Sequence, residues 1–387
     1  SLLVDAKPST AFNPQANATQ ARTMEHFRRL GFADEIRALG LPSDHPTDIA
    51  YFTRYASHEL ARICLPTAAD AVVKIKEMTG SWSAAELPHR VSQKFVEQVL
   101  RRQAESMASN EIRYGWTLES FQQDDAGVLA TIRQTEGGQP QQVKANFLIG
   151  ADGARSFVRR ELGIEWGGVT GIQREFMGGK MFAIYLRAPT FLNVLRHPKA
   201  WMYVAVNNQR RSFMASVDGK SEYAFHAALK PGEDADSWTE ADARGVFQEA
   251  VGANIPIEIL SMGTWLAGHA LVAQRFQQGR VFIAGDAAHL FTPTGGLGYN
   301  TAIEDAVNLA WKLANVLRGN SPLSLLDTYE AERKPLAERN TGYARLFADS
   351  VGLFVAKPEL DEDSENGKAE RQMASEHLNR HARLEFN

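Results

Sequence analysis

The stretch "RVFIAGDAAHLFTPTGGLGYNTAIEDAVNLAWKLA", Arg280 to Ala314, places one carboxylate, Asp286, between a short apolar run and a glycine-rich turn. A fixed carboxylate accepts hydrogen bonds from hydroxyl groups. A glycine turn lets main-chain N–H groups approach a ligand closely, and a helix N-terminus favours acceptors and negative charge. Val281 to Ala284 reads as a strand buried on both faces. From Thr301 the spacing becomes helical, with Ile303, Val307, Ala310, Ala314 and Leu317 on one face and Gly319 placed to end the helix. A crevice for a charged ligand forms at such a place, outside the carboxyl end of a strand in an open α/β sheet. An ordinary strand-turn-helix connection uses the same turn, so Pro293, Gly296, Leu297, Gly298 and Asn300 become ligand-binding candidates only in company with other stretches.

Two such stretches exist. In "VDAKP", Asp5 ends an early apolar run, the position that accepts from a ribose hydroxyl in dinucleotide folds. In "FLIGADGARSFVRREL", Phe147 to Leu162, an apolar run leads into Asp152-Gly153, with Ser156 and Arg159 at the start of a helix. The remaining composition narrows the class. The chain has 387 residues, 44% of them hydrophobic and 23% charged, with a formal net charge of −4. It therefore has no basic excess with which to neutralise nucleic-acid phosphates. No apolar run approaches the roughly 18 residues of a membrane span. The single cysteine, Cys64, allows no internal disulfide and no cysteine-based metal site, which fits a cytoplasmic protein. The ten histidines show no metal-ligand spacing, so the expectation is a site without metal.

The elements that position these residues are read from periodicity. Helices are expected from Arg22 to Leu30 and from Ala33 to Leu39, stopped by Gly31 and Gly40, and another begins at Ser92 with Phe95, Val96, Val99 and Leu100 on its apolar side. Alternation in "VLATIRQ" and "QQVKANFLIG" predicts a hairpin running into a buried strand at Phe147 to Ile149. From about Arg174 to Ile259 the pattern is mostly strand, apart from a charged helix near Thr239 to Val251. The aromatics Phe182, Tyr185, Phe191, Trp201, Tyr203 and Phe213 are partly core and partly walls for an apolar pocket. The acidic tail from Pro358 to Lys368 reads as mobile.

Taken together, "DGARSFVRR", "GDAAHLFTPTGGLGYNTAIEDAVNLAWKL" and the helix "RVSQKFVEQVL" resemble the class A flavoprotein aromatic hydroxylases, the para-hydroxybenzoate hydroxylase fold, over roughly Leu2 to Arg345. The resemblance implies an α/β protein: a Rossmann-like FAD-binding domain of the glutathione-reductase type with an inserted mixed β-sheet substrate domain. It assigns 1–44, 89–169 and 269–345 to the first, 45–88 and 170–268 to the second, and 346–387 to a helical, acidic tail. It implies FAD, reduced by NADH or NADPH, and dioxygen activated as a flavin hydroperoxide whose distal oxygen goes to a small aromatic substrate, usually a phenol. By residue, it implies that Asp286 accepts from the ribityl hydroxyls and that Pro293, Gly296, Leu297 and Gly298 lie along the flavin ring. Asn300 adds a side-chain hydrogen bond to the cofactor, and the helix start favours an anionic reduced flavin. Asp5, Asp152, Gly153 and Arg159 belong to the dinucleotide side, where Arg159 meets either a phosphate or an acidic neighbour. Arg22 and Gln93 match cofactor-contacting positions, and His289 reads as a packed, hydrogen-bonded residue of the loop rather than an acid or base. A homodimer is compatible with this family.

Three departures matter. The GxGxxG turn lies about 20 residues before the ribose-binding acid in a dinucleotide fold, yet only four residues precede Asp5. The first strand and its glycine loop are therefore expected to belong to a longer chain, as is a thioredoxin-like domain beyond "HLNRHARLEFN". Relatives place an aspartate or histidine five residues before the arginine matching Arg22; here that position is Asn17, which takes no proton at neutral pH, so either another group deprotonates the substrate, or the substrate arrives already ionised, as a nitrophenol would, or Asn17 only orients it. Gln15 and Gln20 share that limit, and His45, His58, His197, His226 and His269 are unranked. A Baeyer–Villiger oxygenation and a flavin-free binding protein remain alternative readings of the sequence.

Overall fold

Alternating burial in the middle of the chain builds one large sheet. The computed structural model describes residues 1–79, 84–169, 179–352 and 354–386; the first part of the strand-rich stretch, Arg174 to Gly178, falls outside them. Seven strands join in the order β16-β12-β15-β14-β13-β3-β4. They are β3 (Ile49–Phe52), β4 (Glu59–Ile63), β12 (Gly179–Arg187), β13 (Met202–Ala205), β14 (Ser212–Ser216), β15 (Glu222–Ala228) and β16 (Glu258–Ala267). All neighbours are antiparallel except the pair β3 and β13. Because successive side chains point to opposite faces, Phe182, Ile184, Tyr203, Met214, Tyr223 and Phe225 enter one core. That core is closed by Phe191 of α6 (Phe191–Val194) and Phe247 of α7 (Glu240–Val251). The opposite face carries Met181, Val204, Phe213 and Ala215. Of the six aromatics singled out by sequence, Phe182, Phe191 and Tyr203 are therefore core on the far side, whereas Tyr185, Trp201 and Phe213 belong to the second face or its cover.

The remaining strands form smaller sheets. Parallel pairs join β1 (Leu2–Asp5) to β6 (Glu111–Tyr114) and β10 (Leu148–Gly150) to β19 (Val281–Ile283), the latter extended by β18 (Gln277–Gln278). The hairpin expected from sequence is β8 (Val128–Gln134) with β9 (Gln141–Ala145), joined on its other side by β7 (Trp116–Gln123). Two short sheets complete the set: β11 (Trp166–Val169), β17 (Ala270–Ala273) and β20 (His289–Leu290), and β2 (Ala18–Thr19) with β5 (His89–Arg90). The runs Leu2–Val4 and Phe147–Ile149 read as buried strands. Among the described residues β1 and β10 are each paired on one side only, and Leu3 and Ile149 are 50% and 46% exposed.

Helices α1 (Ala21–Leu30) and α2 (Ala33–Ala38) precede the large sheet's strands, α3 (Ala68–Glu77), α4 (Gln93–Glu105) and α5 (Phe157–Glu161) lie between β4 and β12, and α8 (Leu297–Leu317), α9 (Asp327–Gly352) and α10 (Glu365–Phe386) follow β16. Two expectations need correction. The face of α8 marked by Ile303, Val307, Ala310, Ala314 and Leu317 is not the buried one; Thr301, Asp305, Leu309, Lys312 and Leu313 point inward. Ion pairs explain the rotation, since buried Asp305 meets Arg333 at 2.8 Å and buried Lys312 meets Glu332 at 2.8 Å. The tail beyond Pro358 is not free either. Leu360, Ala374 and Leu378 pack against the second face of the large sheet, and Arg211 donates to the carbonyls of Val351 and Phe354. Apolar burial outweighs the charge of the segment's other face. Leu378→Ala is expected to cost about 2–4 kcal/mol of stability, read by urea unfolding; an unchanged midpoint would show the tail undocked.

Candidate functional site

Asp286 sits where β19 ends, in a 3-10 turn spanning Gly285–Ala287 that Gly285 enters at φ 59°. The residue is exposed, although the surrounding protein dehydrates its carboxylate in part. Burial raises its pKa above the ordinary aspartate value, opposed by nearby His289. Behind it stands a network that sequence reading missed. Asp305 of α8, fully buried, accepts from His289 Nε2 at 2.6 Å, from the Gly285 N–H at 3.2 Å and from Arg333 Nε at 2.8 Å. Arg333 of α9 also reaches Glu304 at 3.0 Å and the Thr301 carbonyl at 3.3 Å, and Tyr329 donates to the Ile283 carbonyl at 2.9 Å. The signal was present as the acidic pair Glu304-Asp305 inside a largely apolar helix, but only its partners give Asp305 meaning.

The turn that follows runs through exposed Pro293 into Gly295 and Gly296, both with left-handed φ, at 70° and 61°. A Cβ on Gly295 would meet Phe347 at 3.1 Å and one on Gly296 would meet Ala18 at 3.2 Å, while one on Gly298 would meet Phe291 at 3.3 Å. Helix α8 then starts at Leu297 with no side-chain cap and no acidic residue in its first turn. Asn300, expected to bond a cofactor, instead has its amide filled by protein. Oδ1 accepts from the Gln20 N–H at 2.9 Å and Thr23 Oγ1 at 2.7 Å, and Nδ2 donates to the carbonyls of Ala18 at 2.9 Å and Gly296 at 2.6 Å. With two acceptor and two donor positions used, it clamps the start of α1 to the glycine turn. Next to Ala18, the Oδ1 of Asn17 is buried without a hydrogen-bond partner among the described residues.

The other predicted positions are spread around this centre. Gln93 donates to Glu97 at 2.7 Å, and Glu97 accepts from the Ala11 N–H at 2.8 Å, tying the loop after β1 to α4. Arg22 lies exposed on α1 and pairs with Glu25 at 2.8 Å. Asp5 ends β1 and accepts from the Lys7 N–H at 2.9 Å. Asp152 accepts from Ser156 Oγ and from the Val158 N–H at 3.0 Å, bracing the turn at Gly153, φ 80°. The buried guanidinium of Arg159 donates to the Ile164 carbonyl at 2.7 Å and lies 4.3 Å from the Trp166 ring centre. Burial lowers its pKa, and its role is internal support.

The structure also sorts the histidines. His45 bonds the Pro46 carbonyl at 2.8 Å, His197 bonds the Ser57 carbonyl at 2.9 Å and His58 faces Asp363 at 3.2 Å. His226 differs. It lies on the second face of the large sheet, with Phe213 stacked at 4.6 Å and Trp265 donating Nε1–H to its Nδ1 at 3.1 Å. Ala18 joins the cluster packed on that face while its carbonyl holds Asn300, so one short segment touches both the sheet and the glycine turn. Among the described residues no cluster of His, Cys, Asp or Glu could hold a metal ion, and no helix is long and apolar enough to cross a membrane.

A family model described as "FAD binding domain" matches residues 1–344. The chain is 35% identical over 367 residues to a putative polyketide hydroxylase of Streptomyces halstedii, covering 89% of this chain and 60% of that protein. It is 31% identical over 377 residues to a 4-methyl-5-nitrocatechol 5-monooxygenase of a Burkholderia species, covering 94% and 65%. The solved structure of the flavin-dependent monooxygenase PieE in complex with FAD and substrate superposes with a TM-score of 0.85 at 28% identity, over 100% of this chain and 68% of that one. The chain thus spans less than two thirds of the length of the two curated relatives.

Removing the buried carboxylate tests the network. Asp305→Ala strands the Arg333 charge in the interior and is expected to lose about 3–5 kcal/mol of stability. Adding Arg333→Met to it should recover part of that loss in a double-mutant cycle; additive losses would mean that the two side chains do not interact.

Proposed function

Because the chain belongs to the FAD-binding-domain family, that of the class A flavoprotein aromatic hydroxylases, we propose that it holds FAD against the turn from Pro293 to Gly298 and hydroxylates a phenolic substrate with NADH or NADPH and dioxygen. One observation carries the reading: an uncapped helix start reached through left-handed Gly295 and Gly296, beside an exposed carboxylate fixed by a buried ion network. These residues fit a flavin dinucleotide. Gly295 and Gly296 keep the bend of the turn free of side chains, which admits a flat ring against the main chain, and the first-turn N–H groups of α8 favour negative charge in the pyrimidine part of that ring. Asp286 accepts from hydroxyls of the ribityl chain, and Asp5 from a ribose hydroxyl. Asp152 and Gly153 shape the turn on the diphosphate side. Asn300 and Gln93 act one step back, holding the segments that line the crevice.

Bound FAD supplies the exchange of electrons with NAD(P)H and the transfer of oxygen from dioxygen. The chain's own residues supply placement. Asn17 Oδ1 accepts the hydroxyl hydrogen of a phenol, or directs the ring, without removing a proton. A substrate that arrives ionised, as a nitrophenol does, suits a site whose acceptor is an amide. The dinucleotide part of the reading includes one further parallel strand with its glycine turn, which would pair the open sides of β1 and β10 and cover Leu3 and Ile149.

Asp286→Ala is expected to weaken FAD binding about tenfold to a hundredfold, the weight of one to two charge-assisted hydrogen bonds, by flavin fluorescence titration. The full-length protein should consume NAD(P)H faster with phenols present and place an atom of labelled dioxygen in the product. A colourless protein that takes up no flavin, or a flavoprotein that forms a lactone or ester, would sink the reading.

A further inference from the structure

The hydroxylase reading leaves open what fixes a substrate's oxygen opposite Asn17, and the large sheet offers one group for it. Residues of β14, β15, β12 and β16 line up in one cross-strand row on the second face: Phe213, His226, Ala183 and Gly263. The row is low at one end, because Ala183 has only a methyl group and a Cβ placed on Gly263 would meet nothing within 4 Å. Flanking rows are tall, with Tyr185 on one side and Trp265 on the other. The result is a trough between Tyr185 and Trp265, with His226 in the row between them.

The state of that histidine follows from its neighbours. Indole Nε1–H only donates, so His226 Nδ1 is the acceptor in the 3.1 Å bond from Trp265, and the ring's one proton is on Nε2. Phe213, stacked at 4.6 Å with planes 14° apart, and Trp265, edge-on at 5.7 Å, prevent the ring from turning. Nε2 has no protein partner among the described residues. Burial, with no charged neighbour to offset it, pushes the pKa down to about 4, so the ring is neutral across the physiological range. A neutral imidazole with Nδ1 already engaged is a poor base and a well-aimed donor.

We propose that His226 is a positioning and specificity residue whose Nε2–H donates to the oxygen of a phenol or phenolate lying in the trough bounded by Tyr185 and Trp265. The inference rests on the hydroxylase reading and deepens it by naming what distinguishes an oxygenated ring from a bare one. Trp265 sets the tautomer, Phe213 sets the tilt, and the donor stabilises the ionised oxygen that Asn17 cannot create.

Binding of 4-nitrophenol and of nitrobenzene to the FAD-loaded protein separates the possibilities. The wild type should prefer the phenol. His226→Leu should weaken 4-nitrophenol about tenfold to a hundredfold, the range for a hydrogen bond to a charged group, while leaving nitrobenzene within about twofold. His226→Gln, which restores an N–H donor, should recover most of the preference. FAD affinity, measured alongside, should be the same in all three. Equal losses for both ligands would assign His226 to packing alone and overturn the proposal. So would no loss for either, or failure of FAD-loaded wild type to bind either aromatic. A wild type that binds no FAD would instead overturn the hydroxylase reading on which this one stands.

Discussion

One buried carboxylate holds the centre of this molecule together. Asp305 joins the loop after β19, through Gly285 and His289, to the middle of α8 and, through Arg333, to α9. An ionised group in an apolar interior is tolerated only when its lone pairs are filled and its charge matched, and here both conditions are met. The ordering has a consequence for Asp286, the middle residue of the loop's 3-10 turn. Its neighbours' backbone is fixed from behind, while its own side chain stays exposed.

The same division between support and contact recurs across the site. Asn300 anchors rather than touches, filling all of its amide with the Ala18 segment, α1 and the glycine turn. Arg159 props β11 from inside through Ile164 and Trp166. The groups without a protein partner among the described residues are few and chemically simple: a carboxylate at Asp286, main-chain N–H groups at the start of α8, a buried amide oxygen at Asn17 and an imidazole N–H at His226. Such a set binds and orients. In the proposed function the redox chemistry belongs to FAD and these groups supply placement.

The large sheet does two jobs because its two faces are different. One is a closed aromatic core under α6 and α7. The other is covered at its margins by Trp201, by the docked tail and by the Ala18 segment, and is low between Tyr185 and Trp265. The segment around Asn17 and Ala18 touches both that face and, through Asn300, the glycine turn.

By itself the sequence determined what depends on neighbours in the chain. The strand, acid, glycine turn and helix from Val281 to Leu317 are contiguous, so local propensity, the left-handed φ of glycine and the order of motifs made them legible, together with the family. The hairpin of β8 and β9 and the capped α7 were legible for the same reason. Only the tertiary structure decided relations between distant residues. Asn300 meets Gln20 across 280 positions, and Trp265 orients His226 from 39 positions away. The face that α8 buries was decided by ion pairs with α9, against the apolar pattern. Periodicity reports where apolar side chains fall along one element; which polar group is satisfied, and which is left free to act, depends on what a different part of the chain brings to it.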